Sequence, residues 1–327
     1  MSSSAAPWAG RRALVTGGLG FVGSAVVRRL AAAGASVRVL DSLLPNGGGS
    51  PRHLRGVAGD IEVIIDDTRS RDAVDRAVRN CDVVFHLAGH AGVSALAPDW
   101  YSEVDSACLG TLNVLEAVRV QAPRARVLFG SALSVYGRSG LPAVTEDAPT
   151  NPLTLFGVHK LAGEKYCGVY HAQHGVRTIA VRMAGMFGPR QRLNGAANGT
   201  IANALDAAIH EETILLPDDA ESLLDVLHVD DAVTALLRLA DAPADADGLV
   251  VNVGRGAGHT LHDMAECLIA AVGRGSVRVL PTTSIFEGSV VADVTRLRSL
   301  ITEWTPQAIS AGLAATVRWY RGDDDAA

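Results

Sequence analysis

The sequence predicts an α/β protein, a doubly wound parallel sheet followed by a smaller C-terminal lobe. Two observations carry this. Short runs of aliphatic and β-branched residues alternate with amphipathic helical stretches through the first 180 or so residues, the pattern of repeated strand-helix-strand units. The first run also leaves through a glycine-rich turn, TGGLGFVGS, straight into a helical stretch, the opening of a Rossmann-type unit.

Ala13, Leu14 and Val15 form a short apolar run that reads as a buried parallel strand. Residues 21–33 read as a helix with Val22, Val26, Val27 and Leu30 on one face and Arg28 and Arg29 on the other; Gly34 stops it. Residues 37–40 are a second strand, closed by Asp41, and LLPNGGGSPR is loop by composition. Strand, helix and strand recur at 63–65, 71–79 and 82–87, then a helix near 103–120 and a strand at 126–129. Crossovers of this length give parallel neighbours. After about residue 182 the alternation loses regularity, with strand-like pieces at 213–216 and 249–253 between helical stretches. The expected division is a dinucleotide-binding domain at 1–181 and a substrate-binding lobe at 182–327, interleaved with the last sheet elements.

A net charge of −6 gives no basic footprint for nucleic acid and no attraction to an anionic membrane. The longest apolar runs are broken by Arg or Gly well before the roughly 18 residues of a membrane span. MSSSAAPWAGRR lacks the apolar core of a secretory signal, so a soluble, cytoplasmic protein is expected. Cys81, Cys108, Cys167 and Cys267 have neither metal-ligand nor redox spacing, and no metal is expected.

The glycine turn carries the clearest chemistry. Gly17 permits the tight turn, Gly20 lets the backbone approach a pyrophosphate, and Gly23 lets the helix pack on the strand. Phe21 and Val22 open that helix, whose free N–H groups and dipole favour phosphate. Asp41, at the end of the second strand, can accept from the adenosine ribose hydroxyls and would repel a 2′-phosphate. The expected cofactor is NADH or NADPH. Asp41 favours NAD(H), while the nearby Arg38 and Arg52 pull the other way.

TGGLGFVG, Asp67-Thr68, FHLAG (85–89), SVYG (134–137), NPLTLFGVHKLAGE (151–164) and FGPRQ (187–191) follow one another in this order. Together they resemble the extended short-chain dehydrogenase/reductases, the superfamily of nucleotide-sugar epimerases and dehydratases. The resemblance implies that Asp67 and Thr68 lie near the adenine, that Leu87, Ala88 and Gly89 run along the cofactor, and that Lys160 holds the nicotinamide ribose. Lysine occurs only twice, at 160 and 165, yet one copy stands at the motif position.

The acid/base residues depart from that family. Its tyrosine, four residues before the lysine, is Phe156 here. Its serine or threonine before VYG is Ala132, flanked by Ser131 and Ser134. Its asparagine before the Gly-Thr of the 103–120 helix is Ala107. Its nucleotide-sugar contacts are also changed, to Gly185, Ser222 and Leu224. These small and apolar replacements suit a large apolar or aromatic ligand. The main expectation is therefore an NAD(P)H-dependent ketoreductase acting on a polycyclic polyketide ketone in antibiotic biosynthesis, its proton coming from substrate or water. In this it resembles the atypical ketoreductases of angucyclinone pathways.

Two other readings stay open. One is a nucleotide-sugar epimerase or dehydratase with a relocated base (His90, His159 or Tyr136). The other is a non-catalytic dinucleotide-binding protein. Expected substrate contacts are Gly92, Val93 and Ser94. Ser131, Ala132 and Leu133 should lie near the reacting carbon, with Phe156, Met183, Met186 and Phe187 as walls and Gln191 and Arg192 at a polar end. A homodimer through the 103–120 and 156–173 helices is a further possibility that the resemblance implies.

Overall fold

The computed structural model describes residues 8–44, 47–89, 100–139, 141–193, 199–217, 223–281 and 290–322. Its first unit is β1 (Arg12–Thr16), buried after Arg12, then α1 (Phe21–Ala32) and β2 (Ser36–Asp41). β3 (Ile61–Ile65), α2 (Arg71–Val78) and β4 (Val83–His86) follow. The Ser70 hydroxyl caps α2 by accepting from Ala73 N–H, which satisfies one of the open donors of the first turn.

The stretch expected as one helix near 103–120 is three consecutive pieces. α3 (Trp100–Val104) runs into a π-helical segment (Asp105–Leu109) and then α4 (Gly110–Gln121). π-turns inside helices are uncommon and concentrate at functional sites. β5 (Arg126–Ala132) leads to α5 (Leu155–His174), capped by Thr154 and ended by Gly175 at φ 68°. β6 (Arg177–Met183), β7 (Gly185–Phe187), α6 (Gly199–Ile209), β8 (Thr213–Leu216), β9 (Leu224–His228) and α7 (Val229–Ala240) come next. The chain closes with β10 (Val250–Val253), β11 (Gly258–His259), α8 (Leu261–Val272), β12 (Ser276–Val279), α9 (Thr295–Leu300) and α10 (Ile309–Arg321).

Among the described residues the main sheet has seven parallel strands in the order β10-β6-β5-β4-β1-β2-β3. The order reverses between β1 and β4, and the crevice beyond their carboxyl ends is where such folds bind ligands. β10 comes from the C-terminal part of the chain and joins the edge of this sheet against β6. β7, β9 and β11 make a small mixed sheet, and β8 pairs with β12.

Side chains alternate across the main sheet and feed two cores. Val15, Val37 and Phe85 face α1 and α7; Leu14, Val84 and Val127 face α2, α4 and α5. A third core, with Leu205, Leu268 and Leu313, joins α6, α8 and α10. No described helix is long and apolar enough to cross a membrane.

Candidate active site

The glycine turn is shaped for a dinucleotide by close approach. A Cβ at Gly23 would lie 2.1 Å from the Gly17 carbonyl oxygen, so only glycine lets α1 sit on the turn. Gly17 has φ +68°, and a Cβ there would meet the Ala88 backbone at 2.9 Å. The turn is held from outside. Leu19 N–H donates to Asp41 Oδ2 at 2.9 Å, and its carbonyl accepts from Ser50 N–H and from His53 Nδ1. Asp41 Oδ1 accepts from Leu43 N–H. Each carboxylate oxygen keeps a free lone pair for a ribose hydroxyl. The cradle, the helix N-terminus and Asp41 together fit NAD.

Phe21 and Val22 open α1 half-buried against the core. Thr68 is buried against Gly110, where a Cβ would lie 2.5 Å from its Oγ1, and its carbonyl accepts from Asn113. Asp67 pairs with Arg69. Leu87, Ala88 and Gly89 follow β4 across the crevice.

A buried relay of hydrogen bonds runs beneath the crevice. Thr111 Oγ1 donates to the Ala107 carbonyl and lies 3.0 Å from His86 Nε2, while His86 Nδ1 lies 2.7 Å from Thr16 Oγ1, which accepts from Ala88 N–H. Only one direction satisfies every member: His86 donates through Nε2 and accepts at Nδ1. Burial pushes this imidazole down to about 3, so it stays neutral and positions Ala88 without exchanging protons.

At the expected reacting centre, Lys160 Nζ donates to the Gly130 carbonyl at 2.6 Å and lies 5.4 and 5.5 Å from the Phe129 and Phe156 ring centroids. Burial lowers its ammonium to about 8, with Glu164 opposing. Phe156, half-buried, is one turn earlier on α5. Beside Lys160 lies a cavity of about 20 Å³, bounded by Ala88, Gly89, Glu103, Ala107, Thr111, Phe129, Phe156, His159 and Lys160.

The other expected positions scatter. Ala132 ends β5 half-buried opposite Met183, but the Ser131 hydroxyl points to the other face and donates to Glu164. Glu164 also receives a two-pronged contact from Arg182 at 2.9 and 2.8 Å, all within the interior. Leu133 is core. Phe187 is fully buried, edge-on to His228 and against Gly312 of α10, so it is packing of the lobe and no pocket wall. Met186 is half-buried on the main core. Gln191 donates to the Met186 carbonyl and Arg192 is exposed. Gly92, Val93, Ser94 and His90 lie outside the described residues, as does Ser222. Tyr136 is fixed elsewhere, its hydroxyl donating to Asn252 Oδ1 at 2.7 Å under the Arg182 guanidinium. Glu103, which the sequence reading did not single out, is buried on the cavity wall. The available signal was an acidic residue one turn before Ala107 on an otherwise mixed helix.

The profile of the NAD dependent epimerase/dehydratase family matches residues 13–254. The chain belongs to this family. It is an NAD-dependent enzyme family, in accord with the glycine cradle. The chain is 31% identical over 318 residues to UDP-glucose 4-epimerase of Mycolicibacterium smegmatis, covering 95% of this chain and 98% of that one. It is 28% identical to dTDP-glucose 4,6-dehydratase of Streptomyces niveus, covering 95% and 93%. UDP-glucose 4-epimerase of Thermotoga maritima, solved with UDP-glucose, superposes with TM-score 0.84 at 26% identity over 95% of this chain and 99% of that one. The Thermus thermophilus UDP-glucose 4-epimerase, solved with NAD, gives 0.82 at 28% over the same shares.

These matches overturn the expectation of a ketoreductase for an aromatic polyketide in antibiotic biosynthesis, and of an apolar ligand, because they are nucleotide-sugar enzymes along nearly the whole chain. The structure supplies the physical reason. Phe156 and Ala107 border a small cavity that Glu103, His159 and Lys160 also line, so the small and apolar replacements stand beside ionisable side chains and do not make a purely apolar slot.

Proposed function

We propose that this protein is an NAD-dependent nucleotide-sugar epimerase or dehydratase whose acid/base group stands away from the usual tyrosine position. The observation that carries the reading is Lys160, seated by Gly130 between the cofactor crevice and the Phe156 ring, in a chain that matches nucleotide-sugar enzymes end to end.

When bound, NAD would supply hydride chemistry at a carbinol carbon. The glycine turn and the start of α1 would hold its diphosphate, and Asp41 its adenosine ribose. Lys160 Nζ would hold the nicotinamide ribose, a positioning effect of the kind that contributes about 7–11 kcal/mol of barrier lowering. Residues 1–181 form the cofactor half and 182–327 the lobe that holds the nucleotide. Leu224 and Gly185 cannot clamp a sugar diphosphate. We assign that contact to Arg190, whose Nε is buried without a partner and whose charge burial disfavours, as suits a cation awaiting an anion.

Exposed Val104 and Leu109 on the 100–121 stretch and Val158 and Val169 on α5 support a homodimer through these helices. The four cysteines are free thiols, which supports a reducing, cytoplasmic setting.

The test is incubation of the NAD-loaded protein with UDP-glucose, UDP-N-acetylglucosamine, UDP-glucuronate and dTDP-glucose, followed by proton NMR of the anomeric region. A new anomeric signal is expected from at least one. If none reacts and calorimetry finds no binding tighter than 1 mM, the reading fails.

A further inference from the structure

The cavity beside Lys160 holds more ionisable chemistry than packing requires. Glu103 from α3 and His159 from α5 are 5% and 7% exposed, and Glu103 Oε2 and His159 Nε2 have no hydrogen-bond partner. A buried polar atom without a partner is costly, and two on one small cavity call for an explanation. The cavity, at about 20 Å³, has room for one water, which needs polar partners such as these. Two local features make the space. Ala107 has only a methyl group where the related enzymes have an asparagine. The π-segment Asp105–Leu109 carries Ala107 on a widened turn, anchored by Thr111.

Among the described residues, the other buried charged or titratable groups near the cavity, His86 and Glu164, are already committed. His86 of β4 is neutral between Thr16 and Thr111. Glu164, on α5, is held by Arg182 of β6 and Ser131 of β5. Glu103, His159 and Lys160 remain.

We propose that Glu103 and His159, bridged by a water in this cavity to Lys160 Nζ, form the proton relay that replaces the missing tyrosine. This rests on the nucleotide-sugar reading for its reaction. In the oxidative half, the substrate O–H bond breaks and its proton bonds to neutral Lys160 Nζ. The O–H electron pair stays on oxygen and closes the C=O bond as the carbon-bound hydrogen leaves with its own pair to NAD, the oxidant. A proton from Nζ passes through the water to His159 or Glu103, and the return half reverses each transfer. Lys160 is then the catalytic residue, and Glu103 and His159 are positioning residues that act through it. Burial, by lowering the Lys160 ammonium to about 8, keeps enough neutral amine available near neutral pH.

The test uses the full-length chain labelled with ¹⁵N-histidine, the His159 signal being assigned by its loss in His159→Gln. Coupling predicts that Glu103→Gln moves the His159 titration midpoint by at least half a pH unit, and that Ala107→Leu, which fills the cavity, reduces that shift. A midpoint unchanged in Glu103→Gln, or in Ala107→Leu where the first variant fails to fold, overturns the relay. This readout needs no substrate, so it stands even if no nucleotide sugar reacts and the functional reading falls. Where one does react, Glu103→Gln and His159→Gln should each lower kcat by about 10²-fold or more, leave KM within threefold and remove a limb of the pH profile. A kcat within threefold of the parent overturns the proposal whatever the NMR shows.

Discussion

The glycine turn and the Lys160 centre are two ends of one crevice, and they tolerate change differently. At the turn, recognition is done by backbone. Gly17 and Gly23 matter because a Cβ would collide with main chain, at 2.9 and 2.1 Å, and a Cβ at Gly20 would be tight at 3.2 Å from the Gly17 carbonyl. At the Lys160 centre the chemistry would rest on side chains, and Phe156, Ala132 and Ala107 stand where the sequence resemblance implies polar residues. Backbone chemistry cannot be moved to another residue, whereas a proton can be supplied from any nearby ionisable group. A fold that keeps its cofactor turn can therefore re-route its acid/base chemistry.

The sharpest way to break this contrast is Gly23→Ala. The added methyl group meets the Gly17 carbonyl, a backbone atom that cannot rotate aside, so α1 must lift from the turn. Loss of NAD binding by more than 100-fold, or no folded protein, is expected by fluorescence titration and circular dichroism. Near-normal binding would show that the turn is as adaptable as the Lys160 centre. Arg182→Met probes the layer beneath that centre. It strands Glu164 inside the protein, and breaking a buried pair in this way costs about 3–5 kcal/mol. Urea unfolding should show that loss, and Glu164→Gln added to Arg182→Met should recover part of it. Full stability in the single variant would mean that water reaches Glu164.

The same contrast explains what the sequence disclosed. Backbone-driven features were legible: TGGLGFVG announced the turn, Asp41 its closing strand, and Gly34 the end of α1. The family motifs located Lys160 and marked Phe156, Ala132 and Ala107 as departures. Three things were hidden. β6 escaped because Arg177 and Arg182 interrupt its apolar run, and only the fold reveals that Arg182 points inward to Glu164. The π-segment escaped because one extra residue in a turn leaves no compositional mark. The Glu103–His159 cavity escaped because its members meet only when α3 and α5 pack together. The substrate expectation failed for a related reason, since small and apolar replacements were read as an apolar slot when Glu103, His159 and Lys160 line the same cavity.

Phe156→Tyr asks how complete the re-routing is. It restores a phenol one turn from Lys160 with little change in volume. If protons already travel through Lys160, kcat should change by no more than about tenfold, with the Glu103→Gln penalty retained. A rise of 10³-fold or more with UDP-glucose would mean that the parent centre is merely disabled, and that chemistry at this end is as immovable as the glycines.

The smallest effect isolates the half-buried Lys160 ammonium itself. The folded chain holds Lys160 at about 8, against about 10.4 in an unfolded chain. Below pH 8 both states are protonated, and the folded state bears the cost of a partly desolvated charge. Between pH 8 and about 10.4 the unfolded chain binds more protons, so stability attributable to this group rises with pH. Lys160→Met removes the charge. In cofactor-free protein, its melting temperature relative to the parent should be highest near pH 7 and fall by a few degrees as pH approaches 10. Other titrating groups are common to both proteins and cancel in the difference, and the lost bond to Gly130 offsets all pH values alike. A gap independent of pH would mean that water already solvates Nζ through the cavity, leaving Lys160 an ordinary lysine and the centre without the neutral amine that proton transfer there requires.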